Sequence, residues 1–280
     1  MNLRKVAKDW LPPVVTDLIR RARAPREPAG WEFRPEGWRA TAGDEGGWNV
    51  ESVRDTQLRT WPEFLRLAEG TGPLGINHTD LVPSAENHGA HNTVMSFAYV
   101  LALAAAGRPT LSFLDWGGGI GHYGVLSRSL LPHTQVDYYC KDVPVLCAGG
   151  RTVLPEATFF ERDEACTGRT YDLVLASGSL HYSEDWRATL SLLTRLTGRY
   201  LYVTRLPVVQ RVPSYVVVQR PHACGYLTEY QGWFLNREEL LSTTAELGLE
   251  LVREFLIDER PPVPGAPEPA EYRGFLFRPS

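Results

Sequence analysis

Apolar residues recur at helical spacing in the first third of the chain. Val53, Leu58, Trp61, Phe64 and Leu65 predict a helix over 50–67. Val94, Phe97, Ala98, Leu101 and Ala105 predict another over 91–106, with Gly107 near its end. Leu3, Val6, Trp10, Val14, Leu18 and Ile19 outline an amphipathic helix over 1–24, broken at Pro12-Pro13. Between these helices, 25–47 is rich in Gly, Pro and Trp and reads as an ordered connector, and 70–90 reads mostly as loop.

From residue 110 the pattern changes to short apolar runs alternating with helices. Strands are predicted at 111–115, 135–141, 157–161, 171–176 and 200–205, and helices at 122–131, 145–153, 185–197 and 236–246. The stretch 208–230 reads as a connection between the fifth strand and the next helix. Two closing strands, 249–257 and 271–277, are joined by a Pro-rich loop with no helix, so the last strand should be antiparallel. The expected fold is α/β. Residues 110–280 form a Rossmann-like sheet of seven strands with helices on both faces, and 1–109 form a helical cap or lid.

Composition narrows the function. A chain of 280 residues that is 43% hydrophobic and 22% charged is an ordinary globular protein, and a net charge of −4 gives no reason to expect nucleic-acid binding. The charge is uneven, because residues 1–30 hold seven basic residues against three acidic ones. That segment has a membrane-surface or partner-binding reading and a solvated-lid reading, and the latter is preferred. Cys140, Cys147, Cys166 and Cys224 form no C-x-x-C pair, and no signal-peptide pattern or bilayer-length apolar run occurs, so free thiols and a cytoplasmic location are expected.

The sharpest chemical signal is Asp115-Trp116-Gly117-Gly118-Gly119-Ile120-Gly121, between an apolar strand and a helix. Glycines allow a tight turn and close backbone approach to a ligand. Asp115 can face an amino acid's ammonium, and Asp142, 21 residues after Gly121, can accept from a ribose diol. Asp163, after the next strand, can accept from an adenine amine. Three carboxylates at three strand ends outline a nucleoside-amino-acid ligand, with Gly117, Gly119, Gly121, Val143 and Ser177 as its further expected contacts. A competing dinucleotide reading exists, since Gly119-Ile120-Gly121-His122-Tyr123-Gly124 satisfies G-x-G-x-x-G. Against it, Gly119 starts four residues past the strand-end Asp115.

With Asp142-Val143-Pro144, this glycine motif resembles the class I S-adenosylmethionine-dependent methyltransferases. More narrowly, the chain resembles a methyltransferase family associated with bacterial surface-polysaccharide gene clusters. That resemblance runs through Leu11-Pro12-Pro13, Leu180-His181-Tyr182, Thr204-Arg205, Val218-Gln219 and Trp233-Phe234-Leu235-Asn236. It implies a methyltransferase sheet, S-adenosylmethionine as cofactor and a small-molecule acceptor.

Methyl transfer to a hydroxyl asks the protein to align the acceptor and remove its proton. His181, just past the fourth strand, is the leading base candidate, with filling its own loop as the competing role. His122 and Arg205 complete the catalytic candidates. Tyr123, Tyr182, Gln219, His222, Tyr226 and Trp233 are the acceptor-binding candidates, and Arg205 and Gln219 could orient a carboxylate, phosphate or sugar. The His78, His88 and His91 group lacks a complete ligand shell, so no metal is expected. Trp31, Trp38, Trp48 and Trp61 are expected to serve packing rather than ligand stacking. A nicotinamide-dependent oxidoreductase, a non-catalytic cofactor-binding subunit and a non-methylating use of the same cofactor remain as alternatives.

Overall fold

The computed structural model describes residues 30–39, 47–75 and 87–280, and the expected helix over 1–24 lies outside them. Residues 31–280 form one unit. Its elements in chain order are β1 (Trp31–Arg34), α1 (Glu51–Ala68), α2 (His88–Ala105), β2 (Thr110–Trp116), α3 (His122–Leu130), β3 (Gln135–Lys141), α4 (Pro144–Val153) and β4 (Thr158–Phe160). There follow β5 (Tyr171–Ser177), α5 (Trp186–Leu196), β6 (Thr197–Val209), β7 (Tyr215–Gln219), β8 (Tyr230–Asn236), α6 (Arg237–Glu246), β9 (Leu249–Leu256) and β10 (Glu271–Pro279).

The local chemistry explains several boundaries. Asn87, Asp185 and Asn236 cap α2, α5 and α6 by accepting backbone N–H bonds that the first helical turn would otherwise leave unmade. Pro144 starts α4, where its missing N–H costs nothing.

The seven expected strands lie in the order β4-β3-β2-β5-β6-β10-β9. Pairing is parallel from β4 to β6, and β10 is antiparallel to both its neighbours. This is the Rossmann-like methyltransferase sheet with its reversed last strand. Helices cover both faces: α1 to α4 share one apolar cluster around Phe97, Phe113 and Leu175, while α5 and α6 share another around Trp186, Val203 and Phe275.

Three further strands depart from the sequence-based expectation. The stretch 208–230 holds the end of β6, the whole of β7 and the start of β8, and the connector 25–47 holds β1. β8 runs parallel to β6 at Val208 and Val209, on the flank that β5 leaves free past Ser177, and β7 and β1 add to it antiparallel. The added strands extend the sheet beyond the carboxyl ends of the parallel strands. The turn from β6 into β7 is tied down by buried Glu268, whose carboxylate accepts N–H bonds from Gln210, Arg211 and Val212.

Candidate active site

A cavity of about 410 Å³ opens at the carboxyl ends of β2, β3, β5 and β6, a size ordinary for a small-ligand site. One half is built by the glycine loop. Gly117 adopts a φ of 77°, and a Cβ there would collide with the Ser179 side chain. Gly118 lies directly over the Asp115 carboxylate and the Cys140 thiol, so a side chain there would lift the loop off its strand. Asp142 closes this half. Its Oδ2 accepts the Gly119 N–H at 2.7 Å and its Oδ1 accepts the Val143 N–H at 2.6 Å. Burial raises the Asp142 pKa, and those two backbone bonds oppose the shift.

Asp115 lies beneath the loop rather than on the cavity wall. It is fully buried, Oδ2 accepts from the Tyr138 hydroxyl at 2.8 Å, and Oδ1 has no hydrogen-bond partner. Burial raises its pKa to about 7, although the Tyr138 bond works against the shift. A buried carboxyl oxygen without a donor, next to a loop that cradles ligands, suits a cationic group placed over Gly117 and Gly118.

The other half is aromatic. Trp48 stacks on Tyr230 at 4.5 Å and Tyr182 meets Tyr230 edge-on at 4.9 Å, while the Tyr182 hydroxyl donates to Gln219 Oε1 at 2.6 Å. Trp31, Gln219 and Tyr230 are register partners across β1, β7 and β8, so strand pairing aligns one row of cavity-facing side chains. Gln57 of α1 joins the two halves. Its Oε1 accepts the Ile120 N–H at 3.3 Å and its Nε2 donates to the Tyr226 hydroxyl at 3.4 Å.

Arg205 enters this half from an unusual backbone. Its φ is 48°, in the left-handed region that costs a side-chain-bearing residue about 1–2 kcal/mol. The cause is a bulge: Val203 pairs with Phe275 and Leu206 with Arg273, so Thr204 and Arg205 stand opposite the single residue Gly274. Nearby, His181 is buried against Tyr182 at 4.0 Å, and neither ring nitrogen meets a polar partner among the described residues. Burial, helped by the Arg205 charge, pushes its pKa down to about 3. His181 is therefore neutral at physiological pH.

Of the residues singled out in the sequence, the cavity brings together Gly117, Gly119, Asp142, Val143 and Ser177 with His122, Tyr123, His181, Tyr182, Arg205, Gln219 and Tyr226. Tyr123 hydrogen-bonds Ser177 at 2.7 Å. His122 sits at the wall, edge-on to Trp61 and Phe64, with its pKa pushed down to about 3 by burial. Five residues lie elsewhere. Asp115 is beneath the loop, and Gly121 faces Leu154 in the helical layer. Asp163 is held by the Trp116 indole at 2.8 Å and by Lys141 at 3.0 Å. His222 is exposed on a short turn. Trp233 points to the opposite face of β8 from Tyr230, as strand alternation requires for residues three apart, and stacks on Trp38 at 5.9 Å.

Trp31, Trp48, Gln57, Tyr230, Glu259 and Tyr272 also line the cavity and were not expected from the sequence. Trp31 and Trp48 therefore differ from Trp38 and Trp61, which do serve packing. The run Tyr215-Val216-Val217-Val218 carried a strand signal that would have placed Gln219 at a strand end. Among the described residues no group of three His, Cys, Asp or Glu side chains could hold a metal, and no helix is long and apolar enough to cross a membrane.

No protein-family model and no curated protein matches the chain. Solved structures do. Magnesium protoporphyrin IX methyltransferase from Synechocystis PCC 6803, with bound SAM, is 20% identical and aligns over 86% of this chain and 100% of its own, with a TM-score of 0.51. An O-methyltransferase family protein from Burkholderia thailandensis is 17% identical over 88% of this chain and 75% of its own, with a TM-score of 0.45. A 1,6-didemethyltoxoflavin-N1-methyltransferase from the same organism, with its substrate and S-adenosylhomocysteine bound, is 17% identical over 68% and 79%, with a TM-score of 0.45. The Synechocystis likeness agrees with the strand order described above: this chain has the Rossmann-like fold of the class I methyltransferases.

Proposed function

We propose that the protein is an S-adenosylmethionine-dependent methyltransferase that acts on a small molecule, at oxygen. The observation that carries this reading is the pairing of Asp142 with the Gly117–Gly119 loop on one wall of a cavity whose other wall is aromatic. The Synechocystis enzyme of like fold was crystallised with SAM. The residues fit that cofactor: Asp142 suits a ribose diol, and buried Asp115 supplies negative charge beneath the position of an ammonium. Gly121, the second glycine of the dinucleotide motif, packs toward Leu154 in the interior rather than lining the cavity, which speaks against that reading.

S-adenosylmethionine, when bound, supplies an activated methyl group. The chain's part is to hold the acceptor oxygen in line, exclude water and accept a proton. Gln57 ties α1 to the glycine loop and the Tyr226 wall, so α1 bridges both halves. His181 is the proposed proton acceptor. Its neutral state leaves a lone pair available, and its low basicity suits an acidic hydroxyl, such as a phenol, better than a sugar alcohol. The association with surface-polysaccharide gene clusters rests on the sequence resemblance alone.

Calorimetric titration with S-adenosylhomocysteine, with NAD in parallel, tests the reading. Micromolar binding of the first and none of the second is expected. Binding of NAD alone overturns it.

A further inference from the structure

Two cations belong to the cavity wall among the described residues, and they differ in what they touch. Lys141 is engaged: it pairs with Asp163 at 3.0 Å and lies over the Trp116 ring. The Arg205 guanidinium donates no hydrogen bond to a described residue and forms only a loose ion pair. Its nearest carboxylate is Glu259 at 3.6 Å, beyond hydrogen-bond reach, and the Glu259 side chain is 41% exposed while that of Arg205 is 20% exposed. The bulge that turns Arg205 inward holds it in a backbone conformation that residues with side chains avoid. Strain kept to aim a guanidinium fork into a cavity is an observation that points to a ligand.

The backbone of Arg205 is set apart from the strands that carry the glycine loop and Asp142, while its Nη1 reaches toward Gly178 at the end of β5. Asp115 lies on β2, its neighbour β5 pairs with β6, and Arg205 follows directly after the paired residue Thr204. Arg205 is thus two strand spacings, about 10 Å, from the strand that carries Asp115 and about 14 Å from the strand that leads to Asp142. Tyr182, Tyr230 and Trp48 line the same cavity and pack on one another, so that it has an aromatic wall suited to a planar body.

We propose that Arg205 grips a carboxylate on the acceptor, so that the protein's substrates are planar monocarboxylic acids whose ring or conjugated body lies against the aromatic wall formed by Trp48, Tyr182 and Tyr230. This rests on the methyltransferase reading and specifies its substrate class. A guanidinium presents two parallel N–H donors that match a carboxylate in a bidentate pair. Arg205 and Glu259 together are neutral, so a monocarboxylate takes the group to a charge of −1 and a phosphate dianion to −2, and the half-exposed Glu259 opposes the dianion more strongly.

The test uses the full chain saturated with S-adenosylhomocysteine. Benzoate, cinnamate and indole-3-acetate are titrated against their carboxamides and phenyl phosphate, by calorimetry and by quenching of tryptophan fluorescence. At least one acid should bind about tenfold or more tighter than its own amide, the loss expected for a charge-assisted pair. Arg205→Gln should abolish that preference while its affinity for S-adenosylhomocysteine stays within about twofold of the parent's, which also shows that the variant is folded. Equal binding of acid and amide, tighter binding of the phosphate, or no binding of any acid overturns the proposal. So does an Arg205→Gln variant that loses S-adenosylhomocysteine instead, because the fork would then hold the cofactor's own carboxylate. Failure of the parent chain to bind S-adenosylhomocysteine at all sinks the underlying methyltransferase reading, a separate result.

Discussion

The two halves of the cavity are built in opposite ways. The half proposed for the cofactor comes from one contiguous run, Trp116 to Gly119, plus Asp142 at the end of the adjacent strand. The acceptor half is assembled from Trp31, Trp48, Tyr182, Arg205, Gln219, Tyr230 and Tyr272, which are scattered over more than 200 residues. A ligand shared by a whole fold class can be met by a local loop whose geometry is fixed by glycine. An acceptor peculiar to one protein is met by whatever side chains the added strands and helices bring to the rim. The halves should therefore fail separately when mutated, and that separability is what the following experiments probe.

The largest effect should come from the cofactor half. Asp142→Ala removes a carboxylate that two backbone N–H groups hold in place. We expect S-adenosylhomocysteine affinity to fall about 100-fold, the scale for losing charge-assisted bonds to a ligand, and the melting temperature to drop by a few degrees because the Gly119 and Val143 N–H groups lose their acceptor. Calorimetry and thermal unfolding read the two quantities. An unaffected affinity would remove Asp142 from the cofactor site and with it the division drawn here.

The reciprocal change is Trp48→Ala, which deletes the ring that stacks on Tyr230 and faces Tyr182. With a true acceptor, KM should rise about tenfold through lost stacking and area, while S-adenosylhomocysteine binding stays unchanged. A parallel loss of cofactor affinity would show that the aromatic wall and the glycine loop act as one unit, through the Gln57 bridge between Ile120 and Tyr226.

The same contrast explains what could be read in the sequence. The parallel core was legible because each strand is a short apolar run closed by a turn and followed by an amphipathic helix. The 135–141 strand was placed to the residue. β7 carried a local strand signal in 215–218, but its place in the sheet, and β8 with it, were hidden for a physical reason. Their pairing depends on β6 running on past Ser177, and that depends on the bulge at Thr204 and Arg205, which no local propensity signals. Once that connection was read as loop, Tyr230 and Trp48 could not be placed at a wall, and Trp233, on the opposite face, was expected there instead. Asp163 erred differently. Its place after the next strand predicts an adenine contact, and in the structure Trp116 inside the motif and Lys141 at the strand end engage its carboxylate.

A smaller effect is set by His181 in the acceptor half. An ordinary histidine base gives a rate that falls below about pH 6.5. With the His181 pKa pushed down to about 3, the neutral form persists through the acid range, so kcat/KM should be flat from pH 5 to 8 as far as His181 is concerned. His181→Gln should lower kcat if the ring accepts the proton. An inflection near pH 6.5 that disappears in His181→Gln would place the ring in a wetter environment than the one it occupies here.

The smallest effect lies beneath the glycine loop. Asp115 has a pKa near 7, raised by burial, so in the free protein at neutral pH its carboxyl is about half protonated. A ligand ammonium over the loop stabilises the charged form and lowers that pKa, so binding must release protons. S-adenosylhomocysteine affinity should therefore rise as pH increases through the Asp115 titration and level off above it, with a net release of protons on binding. Calorimetry at pH 7 in phosphate and in Tris, buffers with different ionisation enthalpies, measures the release as a difference in apparent binding enthalpy. Equal enthalpies in the two buffers would mean that Asp115 is already ionised before the ligand arrives, and that the ammonium is met by the backbone of the loop rather than by the charge beneath it.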